Sequence, residues 1–287
     1  MKKDFSLVIP TLYGTELEKT IIQIHQGTYI PSEIIIVIPS EFQKNIDELK
    51  KYSNIKILGV DFRGQVRQRI FGFKHASCDI VIQLDDDIFV DSNCFENLVG
   101  AIHNSKERIA VAPLFKWKNS NESCYLKYFN YQRVYKYIHG EKLTLSGKIT
   151  RTGWNTGIFH SEENDRFYVS EWLPGGCLAH FKGNLILENY FPFEGKAYFE
   201  DIFHSIHLNK QGIRLLVDNK AICFIDQFEK HKFKNSLDEY NFFKKYRDSI
   251  VHLMGVSKIY IRVEFLFIHL YFYYKRFKNF KLKKYDF

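Results

Sequence analysis

The chain has 287 residues, 45 % of them hydrophobic, which suits one large catalytic domain or one domain with a smaller appendage and excludes extended disorder. Its formal charge of +8 is moderately basic and fits an anionic partner: nucleic acid, a membrane surface or a phosphorylated substrate. Five cysteines (Cys78, Cys94, Cys124, Cys177 and Cys223) are widely spaced, odd in number and without a CxxC, which argues against a disulfide scaffold or a zinc site and for a reducing compartment.

The N-terminus enters directly into a strand-like run, Ser6-Leu7-Val8-Ile9, without the apolar region of a signal peptide. Pro10 ends that run. Leu17, Ile21, Ile24 and His25 fall at helical spacing, and Ile34 to Ile38 is a continuous β-branched strand ended by Pro39. A second helical stretch covers 41–51, a third strand 55–60, a third helix 65–75 and a fourth strand 79–84. Strands alternating with helices imply βαβ units and a parallel sheet, and apolar runs with little alternation imply strands covered on both faces. In such sheets ligands bind beyond the carboxyl ends of the strands. Pro10-Thr11, Pro39-Ser40 and the acidic triplet Asp85-Asp86-Asp87 all lie at such ends.

Beyond the triplet, Asp91-Ser92-Asn93 offers helix caps and 109–115 reads as a strand. The stretch 116–170 is polar, aromatic and irregular, and too long for a simple connection. Trp172-Leu173-Pro174-Gly175-Gly176 is a tight loop before an apolar run. Glu200-Asp201 opens a helix ending near Gln211, followed by short strands at 213–217 and 221–224. From Ser236 the chain is helical. The domain boundary is therefore expected at 235, with a catalytic domain over 1–235 and a helical extension over 236–287.

Three adjacent carboxylates at a strand end repel one another unless a cation neutralises them. Hard oxygen donors favour Mg2+ or Mn2+ shared with substrate phosphates. The triplet is therefore the expected metal site, and neutral His231 is a candidate to complete the shell. Glu200 or Asp201 is placed to take a proton from a hydroxyl, although acidic residues in a first helical turn are ordinary. Arg67 and Arg69 have the guanidinium geometry for phosphate contact.

The order of these features resembles the family 2 glycosyltransferases, the inverting group with the GT-A fold, over about residues 5–232. Ser6 to Thr11 resembles the family's opening strand and nucleotide-contacting turn. Arg69 with Gly72 resembles its arginine-bearing helix, and Leu84-Asp85-Asp86-Asp87 its metal-binding DxD. Gly175-Gly176 resembles the acceptor-side glycine pair, Glu200-Asp201 the ED motif whose aspartate is the usual base, and His231 the downstream metal-ligand histidine. Two positions depart from the pattern: Ile38-Pro39-Ser40-Glu41 lacks the aspartate that follows the second strand, and Ile70 rather than asparagine follows Arg69.

The resemblance implies a Rossmann-like, mostly parallel sheet flanked by helices, and a single displacement with inversion at the anomeric carbon. Asp201 would be the base, with Mn2+ or Mg2+ at Asp87, Asp85 and His231. The donor, a nucleotide sugar, would meet Pro10, Thr11, Arg67, Arg69, Asp85 and Asp86. The acceptor, a glycan or polyprenyl-linked glycan, would meet Trp172, Gly175, Gly176 and Glu200, with Trp154 a further candidate. The implied role is cell-surface polysaccharide synthesis.

In the tail, aromatic residues from Phe265 to Tyr274 are followed by Lys275, Arg276, Lys278, Lys281, Lys283 and Lys284. This pattern suits contact with an anionic membrane surface, and it equally suits an aromatic stripe packed on the catalytic domain. No stretch is long and uncharged enough to span a membrane: Ile259 to Tyr274 carries Arg262, Glu264 and His269. The expected location is cytoplasmic, peripheral at the inner face of the cell membrane. A sugar nucleotidylyltransferase would need a glycine-rich basic loop after the first strand, which Pro10-Thr11-Leu12-Tyr13-Gly14 does not supply. A nucleic-acid-binding module leaves the acidic triplet unexplained, so no nucleic-acid partner is expected.

Overall fold

A computed structural model describes residues 4–120, 122–124, 139–140, 142, 145–158, 165–226 and 236–283. The chain divides into two compact units, one of residues 1–127 with 157–227 and the other of residues 128–156 with 228–287.

The first unit is built on β1 (Phe5–Pro10), β2 (Glu33–Pro39), β3 (Ile55–Val60), β4 (Ile80–Leu84), β5 (Phe89–Val90), β6 (Ile109–Trp117), β7 (Phe167–Val169), β8 (Cys177–Phe181) and β9 (Arg214–Ile225). Its helices are α1 (Leu17–Gln26), α2 (Gln65–His75), α3 (Cys94–Asn104) and α4 (Glu200–Lys210), with a 3-10 stretch over Ser40–Lys51. The strands form one mixed sheet in the order β3-β2-β1-β4-β8-β6-β9-β5, with β7 beside β9. Parallel pairing joins β3, β2, β1 and β4, and also β6 with β9. β8 runs antiparallel between β4 and β6, so Leu84 faces Cys177.

Strand residues alternate between two cores, which is why β1 and β2 read as unbroken apolar runs. Leu7, Ile9, Ile34, Ile36 and Ile82 pack with Leu17 and Ile21 of α1 and Leu98 of α3. Val8, Ile35, Val37 and Val81 pack with Phe73 of α2 on the other face. Gly72 permits the α2 contact: a Cβ there would run into Val8 and sit 3.1 Å from the Val37 side chain. Gln68, one turn earlier, is buried, and its Nε2 donates to the carbonyls of Thr11 (2.8 Å) and Val37 (2.9 Å). One amide thereby fixes the carboxyl ends of both strands and satisfies two buried acceptors.

The two short strands expected at 213–217 and 221–224 are one strand, β9. Its register against β6 jumps between Pro113 and Leu114, from Asp218 to Ile222, so residues 219–221 form an irregularity within a continuous strand.

The second unit contains α5 (Ser236–Leu253) and α6 (Ile259–Lys283). Its interior holds an ion pair between Arg247 and Glu264, both buried. Arg247 also donates to the Thr152 carbonyl at 2.8 and 3.0 Å and lies 4.3 Å from the centre of the Trp154 ring. The Trp154 indole N–H donates to Glu264 at 3.1 Å. Trp154 is thus part of this packed polar network, the packing role that also fits a tryptophan in a long irregular segment.

Candidate active site

The acidic triplet leaves β4 in a turn fixed at both ends. The Asp85 N–H donates to the Gly176 carbonyl at 2.8 Å, and the Ile88 N–H donates to the Asp85 carbonyl at 3.3 Å. The three carboxylates then diverge. Asp85 Oδ1 accepts from Gln65 Nε2 at 2.8 Å and from Arg69 Nη2 at 3.0 Å. Asp86 accepts a hydrogen bond from the Thr11 hydroxyl, and its carbonyl accepts from Thr20 Oγ1 at 3.0 Å. Asp87 is exposed. Burial of the turn, with Asp85 and Asp86 alongside, pushes the Asp87 carboxyl up to about 6.

At the other acidic pair, Phe199 adopts a left-handed conformation (φ 60°) and launches α4. Glu200 and Asp201 occupy its first turn but face different surroundings. Glu200 is buried, pairs with Arg69 and accepts from Tyr190 Oη at 3.2 Å. Tyr190 is held by stacking on His204, with ring centres 4.9 Å apart. Asp201 Oδ1 accepts the Ile202 N–H at 2.9 Å. Burial, reinforced by the negative charge of Glu200, pushes the Asp201 carboxyl up to about 7. A carboxyl so placed is matched to proton transfer near neutral pH.

Arg69 joins the two halves. It is 1 % exposed, with one guanidinium nitrogen on Glu200 and another on Asp85. A planar fork can hold two carboxylates at fixed separation in a way a lysine cannot. Arg69 was expected to meet donor phosphate; in the fold its guanidinium is buried and braces the two acids. Arg67 lies two residues earlier on the same helix. It is exposed, and its guanidinium lies 4.4 Å from the centre of the Phe62 ring.

The Gly175-Gly176 loop is the second brace. Gln83 Nε2 donates to the Gly175 carbonyl at 2.6 Å. A Cβ on Gly175 would strike Glu200 and lie 3.5 Å from the Asp201 Cβ, so only glycine lets the loop rest on the first turn of α4. Further along, Ser205 Oγ donates to the Asp201 carbonyl at 2.7 Å and accepts the Leu173 N–H at 2.9 Å. Two residues expected at the acceptor are turned inward. Trp172 is 2 % exposed and offers no open ring face, and Glu200 is committed to Arg69 and Tyr190.

Pro10 ends β1, and Thr11, the next residue, is joined to the triplet through Asp86. Where the family pattern has an aspartate after the second strand, Glu41 makes an exposed ion pair with Arg63 at 2.6 Å. His231 lies outside the described residues.

The donor set fits a hard divalent cation. Asp87 is a solvent-facing carboxylate whose ionisation is opposed by its neighbours, and Asp85 has one oxygen outside its bonds to Gln65 and Arg69. The triplet is not a preformed cage. Among the described residues, the group of three His, Cys, Asp or Glu ligand atoms that converges within 4.8 Å is instead Cys94, Cys177 and Cys223. These thiols are fully buried, with the Cys94 and Cys223 sulfurs 3.7 Å apart. Wide spacing in sequence argued against a disulfide scaffold or a zinc site; the fold nevertheless gathers three of the five, because β8 and β9 flank β6 in the sheet and α3 packs across them.

A family model described as glycosyl transferase family 2 matches residues 6–165. No curated protein matches the chain. Among solved structures it is similar to GalNAc-T7 crystallised with UDP, GalNAc and Mn2+, at 19 % identity and a TM-score of 0.60 over 79 % of this chain and 44 % of that one. The chain therefore spans less than half the length of that relative. It is also similar to the mannosyltransferase PcManGT from Pyrobaculum calidifontis in complex with GDP-Man and Mn2+, at 14 % identity and a TM-score of 0.54, covering 88 % of this chain and 69 % of that one. Residues 1–349 of S. aureus TarS, in complex with UDP-GlcNAc, give 14 % identity and a TM-score of 0.55 over 86 % and 70 % of the two chains. At these identities the likeness is one of fold, the mixed, mostly parallel sheet flanked by helices described above.

Proposed function

Because the chain belongs to glycosyl transferase family 2, we propose that it transfers a sugar, with inversion, from a nucleotide-sugar donor to a hydroxyl of a glycan or polyprenyl-linked glycan. The observation that carries this reading is the Arg69 brace. It holds a donor-side carboxylate, Asp85, and the helix turn bearing Asp201 in one rigid frame.

In this scheme Asp201 takes the proton of the acceptor hydroxyl, and the oxygen bonds to the anomeric carbon as the bond to the nucleoside diphosphate breaks. One displacement gives one inversion. Placing both substrates in this frame removes most of the entropy cost of their encounter. Asp87, the outer oxygen of Asp85 and His231 would hold Mn2+ or Mg2+, which supplies charge neutralisation for the departing diphosphate. Thr11 and Asp86 would line the donor side. The backbone of Gly175 and Gly176 would shape the acceptor side next to Asp201. A role in cell-surface polysaccharide synthesis, at the inner face of the membrane, accords with a lipid-linked acceptor.

A thermal-shift screen of nucleoside diphosphates and nucleotide sugars, each with and without Mn2+, tests the donor side. We expect one nucleoside diphosphate to raise the melting temperature only with the metal. A flat response across all of them would remove the donor assignment.

A further inference from the structure

The transfer chemistry leaves α6 unexplained. This helix runs for 25 residues, Ile259–Lys283. Its buried side is set by Ile261 and Glu264, at 1 % and 3 % exposure. Its other side is apolar and open: Ile259 is 57 % exposed, Leu266 56 %, Phe267 44 %, Leu270 57 %, Tyr273 79 % and Tyr274 63 %. At about 100° per residue these six fall in one stripe roughly 120° wide. Monomeric surfaces carry scattered apolar residues, whereas a continuous aromatic and aliphatic stripe marks a surface that is covered in use.

We propose that this stripe docks on an anionic lipid bilayer. The charge of the sequence selects the occupant. No acidic residue occurs between Glu264 and Asp286, while Lys275, Arg276, Lys278, Lys281, Lys283 and Lys284 follow the stripe. A second copy of the chain would bring like charge against like charge with no acid to pair. A surface of anionic headgroups matches both parts, with rings and leucines at the headgroup–acyl boundary and bases on the phosphates. The helix lies on such a surface and does not cross it, since no helix among the described residues is long and apolar enough to span. Bilayer docking is read independently of sugar transfer, and it would also bring the enzyme to a lipid-linked acceptor.

The test is flotation of the full chain with phosphatidylcholine vesicles, with and without phosphatidylglycerol, at low and high salt. Two variants accompany it: Leu266→Gln with Leu270→Gln, and Lys275→Gln with Arg276→Gln, Lys278→Gln and Lys281→Gln. Melting curves and donor hydrolysis report on fold and active site, so lost flotation is separable from a failed transferase assignment. We expect binding to anionic vesicles that high salt weakens. Each base removed should weaken it roughly fivefold at low salt, and the four together more than a hundredfold. The leucine variant should lose binding even to anionic vesicles. Absence of wild-type binding, or binding of both variants equal to wild type, overturns the proposal. So does a vesicle-free dimer that the leucine variant dissolves, which would assign the stripe to a second copy.

Discussion

Replacing Asp201 by asparagine should reduce sugar transfer and, at the same time, stabilise the protein above neutral pH. The carboxyl is pushed from 3.8 to about 7 by burial first and then by Glu200. That difference corresponds to roughly 4 kcal/mol for holding the ionised form in the fold, at 1.36 kcal/mol per pH unit. Asp201 keeps partial solvent access, which screens part of it, so about 2 kcal/mol is the expected effect. The sign follows from proton binding. Between pH 3.8 and about 7 the native state holds a proton that the unfolded state has released, so stability falls as pH rises through this window. Asparagine carries no charge, and its Oδ1 can still accept the Ile202 N–H. Its advantage over aspartate should be near zero at about pH 4 and complete by about pH 8, where the melting temperature should rise by roughly 4–8 °C. Transfer by the same variant should fall at least ~100-fold, the usual contribution of a positioned base. The wild-type rate should climb with pH up to about 7 and then level as Asp201 ionises. Calorimetry at the two pH values and initial-rate transfer assays are the measurements. Transfer within a few-fold of wild type would refute the base assignment, and a lower melting temperature at pH 8 would refute the electrostatic account.

Other consequences are as direct. Arg69→Met removes the cation shared by Asp85 and Glu200 and should destabilise the fold by about 3–5 kcal/mol, read by denaturant melts; Arg69→Lys should recover only part, because a point charge cannot fork to both acids. Gly175→Ala should cut transfer, and shift the first turn of α4 or the loop, because its Cβ meets Glu200; a transfer rate equal to wild type would show that the loop has slack. A chelator should abolish transfer and Mn2+ restore it; full activity in chelator would remove the metal from the scheme.

The strands and helices of the first half were legible because their signals are local. Unbroken β-branched runs ended by Pro10 and Pro39 gave β1 and β2, and helix α2 spans the residues that its periodicity marked, 65–75. The antiparallel β8 was only an apolar run after a glycine loop, since its direction is set by partners about 95 residues away in sequence, such as Ile82 opposite Ala179. Side-chain roles split along the same line. Asp201 and Asp85 stood out by type and position, and the fold makes Asp85 one of the two acids that Arg69 braces and sets Asp201 next to the other. Arg69 was expected at phosphate because its residue type suits phosphate, and only the approach of α4 adds Glu200 to Asp85 as its partners. Gln65, Gln68, Gln83 and Tyr190 carried no signal at all; single amides and hydroxyls acquire meaning only from the backbone and acids they reach.

The three buried thiols offer a clock for the sheet around the acidic turn. Cys78 and Cys124 are partly accessible, whereas Cys94, Cys177 and Cys223 are sealed, and Cys177 directly follows the glycine whose carbonyl holds the Asp85 N–H. Under native conditions a thiol reagent should therefore modify two sulfurs promptly and three only at the rate at which β8 and β9 part from their neighbours. The lag between the two phases measures how often the floor of the site opens, and a nucleotide that closes the crevice should lengthen it.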